Sequence, residues 1–355
     1  MLMFLAFSLG LAAATAAAEP VASTAWSALP TARVVAEELR FRNGDAELQG
    51  TLYLPQGRAP SSLVVVTHGA SSPLRSSPLY RHLKEMLPPL GIALFVYDRR
   101  GSGQSGGSGS GGDYALLADD AIAAIRTLAK DPRIDGRRMG VWGLSQGGWI
   151  ALLAASRSND IAFAVSASAP VVTPDVQMMF YSANVLRVNG YPQSEIDRML
   201  ATRKAVDDYM RGVGAQAEAQ RLVDAAKTEP WFKYLYMGET VRDRAVSGWR
   251  KEIEHDPLAT LAAVNVPVLM LYGAADPVVP VATSVDRLKS TAARLPKMEV
   301  AVVAGADHSM QTSVDPRIQL DPAYSDAGKP EAPEYFALLA NWLTRQGLTS
   351  AETAR

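Results

Sequence analysis

The sequence contains no cysteine, which excludes disulfide bonds, thiolate metal sites and a cysteine nucleophile. Histidine is scarce: four residues among 355, so a histidine general base has few candidates. Neither sign of charge is in excess, because 35 Lys and Arg stand against 36 Asp and Glu and the net charge is −1. Since no basic stripe is evident either, we expect no nucleic-acid partner.

The chain opens on an apolar run that ends in small residues, MLMFLAFSLGLAAATAAAEP. Ala16 and Ala18 supply the A-x-A pattern of a cleavage site, so residues 1–18 are interpreted as a secretory signal peptide. No Lys or Arg precedes the run, and an uncleaved anchor of marginal length is the alternative. We expect a periplasmic or secreted protein with no stable membrane span once the signal is removed. A cysteine-free exported protein needs no oxidative folding.

Strand-like runs alternate with helical patterns along most of the chain. Two alternating segments around Asn43-Gly44 predict a β-hairpin. Tyr114–Leu128 places its apolar residues on one helical face. Short, continuous apolar runs are typical of strands buried in a parallel sheet, and six occur: SSLVVVTHG, GIALFVYD, RMGVWGLS, AFAVSASAP, VPVLMLYG and MEVAVVAG. The alternation predicts an α/β fold, with a mostly parallel, doubly wound sheet and the N-terminal antiparallel hairpin at one edge.

Residues 171–261 interrupt this alternation, because they show helical patterns and no strand-like run. Ser194 and Asp197 predict a capping box at the start of one helix, and residues 215–227 predict another helix. We interpret 171–261 as a helical cap inserted into a core made of 34–170 and 262–348. Trp231 and Phe232 are candidates for lining an acyl pocket in this cap, and packing of the cap is the alternative.

The stretch YDRRGSGQSGGSGSGG fits the G-x-G-x-x-G template of a dinucleotide-binding turn. That function requires a helix directly after the glycines and an acidic residue about 20 residues later, after a strand. Here the glycines continue to Gly112 before any helix, and Asp119 and Asp120 fall inside that helix. We therefore expect no nucleotide cofactor.

The segment GLSQGG follows one apolar strand and precedes an apolar helix. Strand, G-x-S-x-G and helix in this order predict a nucleophile elbow with Ser145 as the nucleophile. The acid and the histidine then follow the serine in the chain. Asp276 comes just after a later strand, and His308, the last histidine, just after the next one. Because the carboxyl ends of parallel strands meet at one edge of a sheet, Ser145, Asp276 and His308 are the predicted triad; Asp175 is the alternative acid.

Two backbone N–H groups are candidates for an oxyanion hole. One belongs to Gln146, the residue after the nucleophile, and the other to Ala70 in the loop THGASS. His68-Gly69 is interpreted as holding that loop open, without a role in proton transfer. Asp307 is expected to cap its own loop, because the side chains of adjacent residues diverge from one another.

These motifs resemble those of the α/β-hydrolase superfamily, and more narrowly those of bacterial carboxylesterases grouped with serine-aminopeptidase-like and dienelactone-hydrolase-like enzymes. The similar stretches are HGASS, YDRRGSGQS, GLSQGG, GAADPVVP and ADHS. The resemblance implies an α/β-hydrolase fold, no metal and no organic cofactor. It also implies that the glycine-rich loop shapes the sheet edge near the oxyanion turn, through Asp98, Arg100, Gly101, Gly103 and Ser105. Asp315, Asp321 and Asp326 are interpreted as solvated carboxylates, with a calcium site as the alternative.

The sequence therefore predicts a secreted serine esterase that acts on small-molecule carboxylic esters with short to medium acyl chains, through an acyl-enzyme. A serine aminopeptidase, amidase or thioesterase with the same triad is the alternative. An aminopeptidase would need a cap carboxylate to hold the substrate's ammonium group. The sequence offers four: Glu195, Asp207, Asp208 and Glu229. A non-catalytic binding protein is a third hypothesis, disfavoured by the complete triad. The natural substrate and the oligomeric state do not follow from these patterns.

Overall fold

A computed structural model describes residues 33–57, 60–110, 112–291, 297–321 and 330–350. Within these ranges, one sheet contains eight strands in the order β1-β2-β4-β3-β5-β6-β7-β8. The strands are β1 Val34–Asn43, β2 Ala46–Pro55, β3 Ser61–Thr67, β4 Ile92–Tyr97, β5 Ile134–Leu144, β6 Phe163–Ala167, β7 Val268–Gly273 and β8 Met298–Val303. β2 pairs antiparallel with β1 and with β4, and the other pairs are parallel. The predicted sheet, including its N-terminal antiparallel hairpin, is confirmed.

Burial explains why continuous apolar runs form the central strands. Every residue of β4, β6 and β7 is buried, because helices cover both faces of the sheet. The helices are α1 Arg81–Met86, α2 Tyr114–Leu128, α3 Gln146–Arg157, α4 Pro174–Val188, α5 Gln193–Arg211, α6 Gln216–Ala226, α7 Gly248–Ile253, α8 Pro257–Ala263, α9 Val281–Thr291, α10 Pro316–Gln319 and α11 Pro333–Arg345. Helices α2, α3, α8 and α9 contribute to the apolar core on one face, and α1 and α11 to the core on the other.

Helices α4 to α7 form the part of the chain between β6 and α8, a stretch that the structure describes in full and that contains no strand. Their apolar residues form a third core of their own, which we call the cap cluster; it includes Ile196, Met199, Val223, Trp231 and Leu235. The helix predicted over residues 215–227 is confirmed as α6. The predicted division into core and cap at 171–261 stays a prediction.

The predicted capping box is wrong. Helix α5 begins at Gln193, with Pro192 at the N-cap position, so Ser194 lies inside the first turn. No side chain makes a capping hydrogen bond at this helix start. The helix therefore begins two residues earlier than the Ser-x-x-Asp pattern indicated, and the fixed φ of Pro192, −67°, is compatible with this start.

Across the described ranges, none of the helices combines the length and the apolar character needed to cross a bilayer. The predicted signal peptide, residues 1–18, lies outside the described residues.

Candidate active site

Ser145 lies on a strained turn between β5 and α3. Its φ of 58° and ψ of −125° are angles that a residue other than glycine rarely adopts. The turn requires glycine at the flanking positions 143 and 147, because nearby backbone atoms leave no space there for a side chain. A Cβ on Gly147 would lie 2.3 Å from the Thr67 carbonyl oxygen, and one on Gly143 would lie 2.1 Å from the Gly147 oxygen. The Thr67 hydroxyl also donates a hydrogen bond to the Gly147 carbonyl at 2.7 Å, so β3 holds the turn in place.

Backbone hydrogen bonds continue beyond the ends of the strands and connect the loops that carry the candidate residues. The Ser145 N–H donates to the Ala167 carbonyl at 2.8 Å, which ties the turn to the end of β6. The Ala275 N–H donates to the Ala306 carbonyl at 2.9 Å, which joins the loop after β7 to the loop after β8. The residues that the sequence singled out therefore follow β5, β7 and β8 at one edge of the sheet.

Asp276 and His308 form a hydrogen-bonded pair at this edge. His308 Nδ1 lies 2.8 Å from Asp276 Oδ2, and the Asp276 side chain is fully buried. The other carboxylate oxygen, Oδ1, accepts hydrogen bonds from the N–H groups of Val278 at 2.7 Å and Val279 at 3.1 Å. Because an ionised carboxylate only accepts hydrogen bonds, Nδ1 is the ring nitrogen that donates in this pair, and Nε2 lies on the opposite side of the ring.

The two other candidate carboxylates have different partners. Arg211 binds Asp175 through two nitrogens, at 2.7 and 3.2 Å. Burial tends to raise the pKa of Asp175, but hydrogen bonds, led by those from Arg211, hold it below the usual value. Asp307 Oδ1 accepts from the N–H groups of Ser309 and Gln311, at 2.9 and 3.0 Å, so it caps its own loop as expected. Of the three, Asp276 is the carboxylate that the structure places against the His308 ring.

Of the other three histidines, His68 and His82 are buried, and His255 is half-buried against the rings of Tyr114 and Trp149. Burial lowers the pKa of His68 and of His82 to about 3, and that of His255 to about 4. His68 Nε2 lies 2.5 Å from the Tyr97 carbonyl, so the ring supports the loop after β3. A group that is neutral and enclosed at pH 7 is poorly suited to exchange protons with a substrate, which leaves His308 as the candidate base.

The loop after β3, with the candidate donor Ala70, is attached to the elbow by Arg99. Arg99 Nη2 donates to the carbonyl oxygens of His68 at 2.8 Å and Gly69 at 3.1 Å, and to the side-chain oxygen of Gln146 at 2.8 Å. Ala70 is exposed and Gln146 is half-buried. The roles of Ala70 and Gln146 as oxyanion donors stay predictions.

A second set of hydrogen bonds continues from Gln146 into the cap. The Gln146 side-chain N–H donates to the Tyr114 hydroxyl at 3.3 Å, and that hydroxyl donates to Glu252 of α7 at 3.2 Å. Burial raises the pKa of Glu252. Sequence reasoning missed Arg99, Tyr114 and Glu252, because their partners lie 30 or more positions away in the chain.

The glycine-rich loop folds around the carboxylate of Asp98. This carboxylate accepts from the N–H groups of Arg75 and Gln104, both at 2.9 Å, and the Ser105 hydroxyl donates to the Asp98 carbonyl at 2.6 Å. Gly103 has a φ of +55°, and a Cβ there would lie 2.4 Å from Asp98 Oδ2. The glycine therefore allows the loop to close on the carboxylate beside the oxyanion turn.

A cavity of about 480 Å³ lies in the cap. Its wall is mixed: apolar side chains such as Met178 and Val206 stand beside three charged residues, Arg203, Arg242 and Glu252. Trp231 and Phe232 are buried in the cap cluster, and Trp231 Nε1 donates to Glu195 at 2.6 Å. These contacts favour the packing alternative for the two aromatic residues.

The four cap carboxylates that the sequence offered are each bound by a basic side chain. Arg198 binds Glu195 and Glu229, Arg203 binds Asp207, and Lys204 binds Asp208. No group of three or more His, Asp or Glu side chains is arranged to hold a metal ion in the ranges that the structure describes. Asp315 caps the short helix α10, and Asp326 lies outside the described residues.

The doubly wound sheet, the strained serine turn and the histidine–carboxylate pair at its edge define an α/β hydrolase. Residues 58–315 match the family described as serine aminopeptidase S33, Hydrolase_4. The chain belongs to this family.

Proteins similar to this chain in sequence or in fold include the following three. The AB hydrolase superfamily protein YisY of Bacillus subtilis is 28% identical over 211 residues, which are 57% of this chain and 70% of YisY. The thiohydrolase apmlB of Arthrinium phaeospermum is 32% identical over 123 residues, 34% of this chain and 39% of apmlB. The structure of the esterase Pf2001 of Pyrococcus furiosus has a TM-score of 0.57 at 17% identity and covers 88% of this chain and 91% of its own. Structural similarity at that identity shows the fold alone.

Proposed function

We propose that this protein is a serine hydrolase that cleaves carboxylic esters with short to medium acyl chains through an acyl-enzyme. The main support is the 2.8 Å contact between His308 and a buried, backbone-anchored Asp276, at the sheet edge where Ser145 occupies its strained turn. Ser145 Oγ attacks the ester carbonyl while His308 Nε2 takes the proton, and Asp276 stabilises the imidazolium that forms. His308 then returns this proton to the leaving alcohol.

The second half of the reaction uses the same groups. His308 takes a proton from water, the resulting hydroxide equivalent attacks the acyl-enzyme, and Ser145 is released with the acid product. In both halves the N–H groups of Ala70 and Gln146 would bind the oxygen that becomes negative. The cavity in the cap, which has both apolar and charged residues in its wall, has a volume of about 480 Å³, a size suited to a small-molecule ester. No cofactor is required by these steps.

Amide or thioester cleavage with the same groups is a second candidate. One structural observation favours an aminopeptidase: Glu252 makes no ion pair within 4 Å in the part of the chain that the structure describes, and it lines the cap cavity. A carboxylate in that place would suit a substrate's ammonium group. The thiohydrolase relative makes thioesters a further class to test.

Replacement of Ser145 by alanine tests the proposal directly. Purified protein should hydrolyse p-nitrophenyl butyrate, and Ser145→Ala should lose on the order of 10⁶-fold in kcat, the loss typical of a triad that acts as a unit. Ser156→Ala, in the same helix but bonded only to the Leu153 carbonyl, is the matched control and should keep the full rate. Equal rates for the wild type and Ser145→Ala would contradict the proposal.

A substrate panel separates the two candidates. Esters, thioesters and fluorogenic aminoacyl amides with the same acyl group are compared by kcat/KM. The proposal requires the ester to be the best substrate, with all three activities lost in Ser145→Ala. If aminoacyl amides are preferred and Glu252→Gln removes that preference, the aminopeptidase assignment replaces the esterase.

We also propose that residues 1–18 direct export and are removed. Expression of the full chain in a Gram-negative host, followed by fractionation and N-terminal sequencing, should recover protein from the periplasm or medium that begins near residue 19. Full-length protein retained in the membrane pellet would favour the anchor instead.

A further inference from the structure

Arg99 is a half-buried arginine whose guanidinium donates to neutral oxygens. Its guanidinium makes no ion pair within 4 Å among the residues that the structure describes, and its Nε has no hydrogen-bond partner there. Burial lowers the pKa of Arg99. Three neutral oxygens surround Nη2, those of the His68 and Gly69 carbonyls and of the Gln146 side chain. A desolvated cation is costly to keep, so these contacts point to a role beyond packing.

The geometry of a peptide group explains what the bond to Gly69 accomplishes. The Gly69 carbonyl and the Ala70 N–H belong to one planar trans unit, so they point in opposite directions. A hydrogen bond that holds the carbonyl therefore fixes where the N–H points. The Ser72 N–H also donates to this carbonyl, at 3.2 Å, and turns the loop back on itself.

The bond to Gln146 reaches the residue that carries the second candidate donor. Gln146 follows Ser145 directly, and its backbone N–H lies at the start of α3. Because Arg99 holds the Gln146 side chain at 2.8 Å, one guanidinium contacts both Gln146 and the peptide group that carries the Ala70 N–H. The connection continues from the Gln146 amide through the Tyr114 hydroxyl to Glu252 at the cavity wall.

We propose that Arg99 is a positioning residue that holds both oxyanion donors in register through the Gly69 carbonyl and the Gln146 side chain. Tyr114 and Glu252 extend this support to the cap. The inference rests on the proposed serine-hydrolase function, because it concerns the oxyanion hole of that reaction. Arg99 itself touches no reacting atom; it acts through the two peptide groups.

The primary test is Arg99→Met, which keeps most of the side-chain length and removes every donor. We expect kcat for p-nitrophenyl butyrate to fall about 100-fold, in the range for the loss of one oxyanion donor, with KM within about twofold of wild type. A trifluoromethyl ketone, which binds serine hydrolases as a tetrahedral adduct, should lose affinity by a similar factor, because the misplaced donors act on the developing charge. Rates are referred to active sites titrated with a fluorophosphonate.

Gln146→Met separates positioning from general stability, because it keeps the backbone N–H and removes only the oxygen that Arg99 holds. It should lower kcat about tenfold, and the double variant Arg99→Met/Gln146→Met should be no slower than Arg99→Met alone, since both changes break one connection. Arg99→Lys retains the positive charge but not the several donors of the guanidinium, so its kcat should lie between that of Arg99→Met and that of the wild type.

Arg138 provides the matched control at the opposite end of the sheet. It also donates to two loop carbonyls, those of Pro60 at 3.0 Å and Gly347 at 3.2 Å, at the amino end of β5. Arg138→Met should lower the melting temperature and leave kcat per active site unchanged.

The inference is overturned if folded Arg99→Met keeps kcat within threefold of wild type, or if its loss lies in KM with the ketone affinity unchanged. If Arg99→Met does not fold, Gln146→Met and Arg99→Lys are combined instead. The inference is then overturned if the losses in kcat of these two variants add up in the double variant. Failure of the proposed function is recognised separately, because Ser145→Ala would then be as active as wild type.

Discussion

Replacement of Asp276 by asparagine exchanges one carboxylate oxygen for an NH₂ group and reverses the direction of the hydrogen bond to His308 Nδ1. In the native protein Asp276 Oδ1 accepts from the N–H groups of Val278 and Val279, and Oδ2 accepts from His308 Nδ1 at 2.8 Å. An asparagine would keep its oxygen toward the two backbone donors, so its NH₂ group would face the imidazole. His308 would then accept at Nδ1 and carry its proton on Nε2, the nitrogen that takes the proton of Ser145 in the proposed reaction.

We therefore expect Asp276→Asn to fold and to lose about 10⁴-fold in kcat, equivalent to about 5 kcal/mol at 1.36 kcal/mol per tenfold change. Hydrolysis of p-nitrophenyl butyrate per titrated active site measures the loss, and circular dichroism checks the fold. Asp175→Asn is the matched control: it breaks the pair with Arg211 at 2.7 Å and should lower stability with little effect on kcat. A fall of less than tenfold for Asp276→Asn, or a large fall for Asp175→Asn, would refute the assignment of the acid.

Three further changes test other parts of the structure. Gly147→Ala places a Cβ 2.3 Å from the Thr67 oxygen, so it should lower the free energy of unfolding by about 2 kcal/mol or more and remove most of the activity. The control is Gly57→Ala, which has open space around it and should lower the unfolding free energy by under about 0.5 kcal/mol in the same denaturant titration. Burial lowers the pKa of His255 to about 4, so below about pH 6.5 the unfolded chain binds a proton that the folded chain does not, and the free energy of unfolding falls as the pH falls toward 4. His255→Phe should reduce the slope of unfolding free energy against pH in this window by about 1.4 kcal/mol per pH unit. An unchanged slope would contradict the burial argument. Met178→Trp narrows the cap cavity, so the acyl-chain length that gives the highest kcat/KM should become shorter. If the dependence of kcat/KM on acyl-chain length does not change, the acyl group binds elsewhere.

The strands and the turn that holds Ser145 could be predicted because their causes are local. Continuous apolar runs such as that of β4 are buried on both faces, and the glycines around Ser145 form a short motif between a strand and a helix, although Gly147 also approaches Thr67 of β3. Order along the chain then limited the histidine to His308 and left Asp276 or Asp175 as the acid, and the structure brings Asp276 into contact with His308. The predicted capping box failed because Pro192, just before the helix, determines where α5 begins.

The support around the site could not be predicted for a different physical reason. Arg99 and Glu252 stand in no recognisable motif, and their functions depend on which oxygens the folded chain brings within about 3 Å. The same holds for Trp231, whose aromatic character suits an acyl pocket and a cap core equally well. Only its buried position among the cap cluster distinguishes the two.

The cap cluster has a consequence for how this protein can diversify. Its apolar residues pack on one another, while the two other cores pack on the sheet. The chain leaves the sheet after β6 and re-enters it at β7, where the two strands pair in parallel over four residues each. Because α4 to α7 share an apolar core of their own, a change within that core can be absorbed by its neighbours there before it reaches the residues that pack on the sheet.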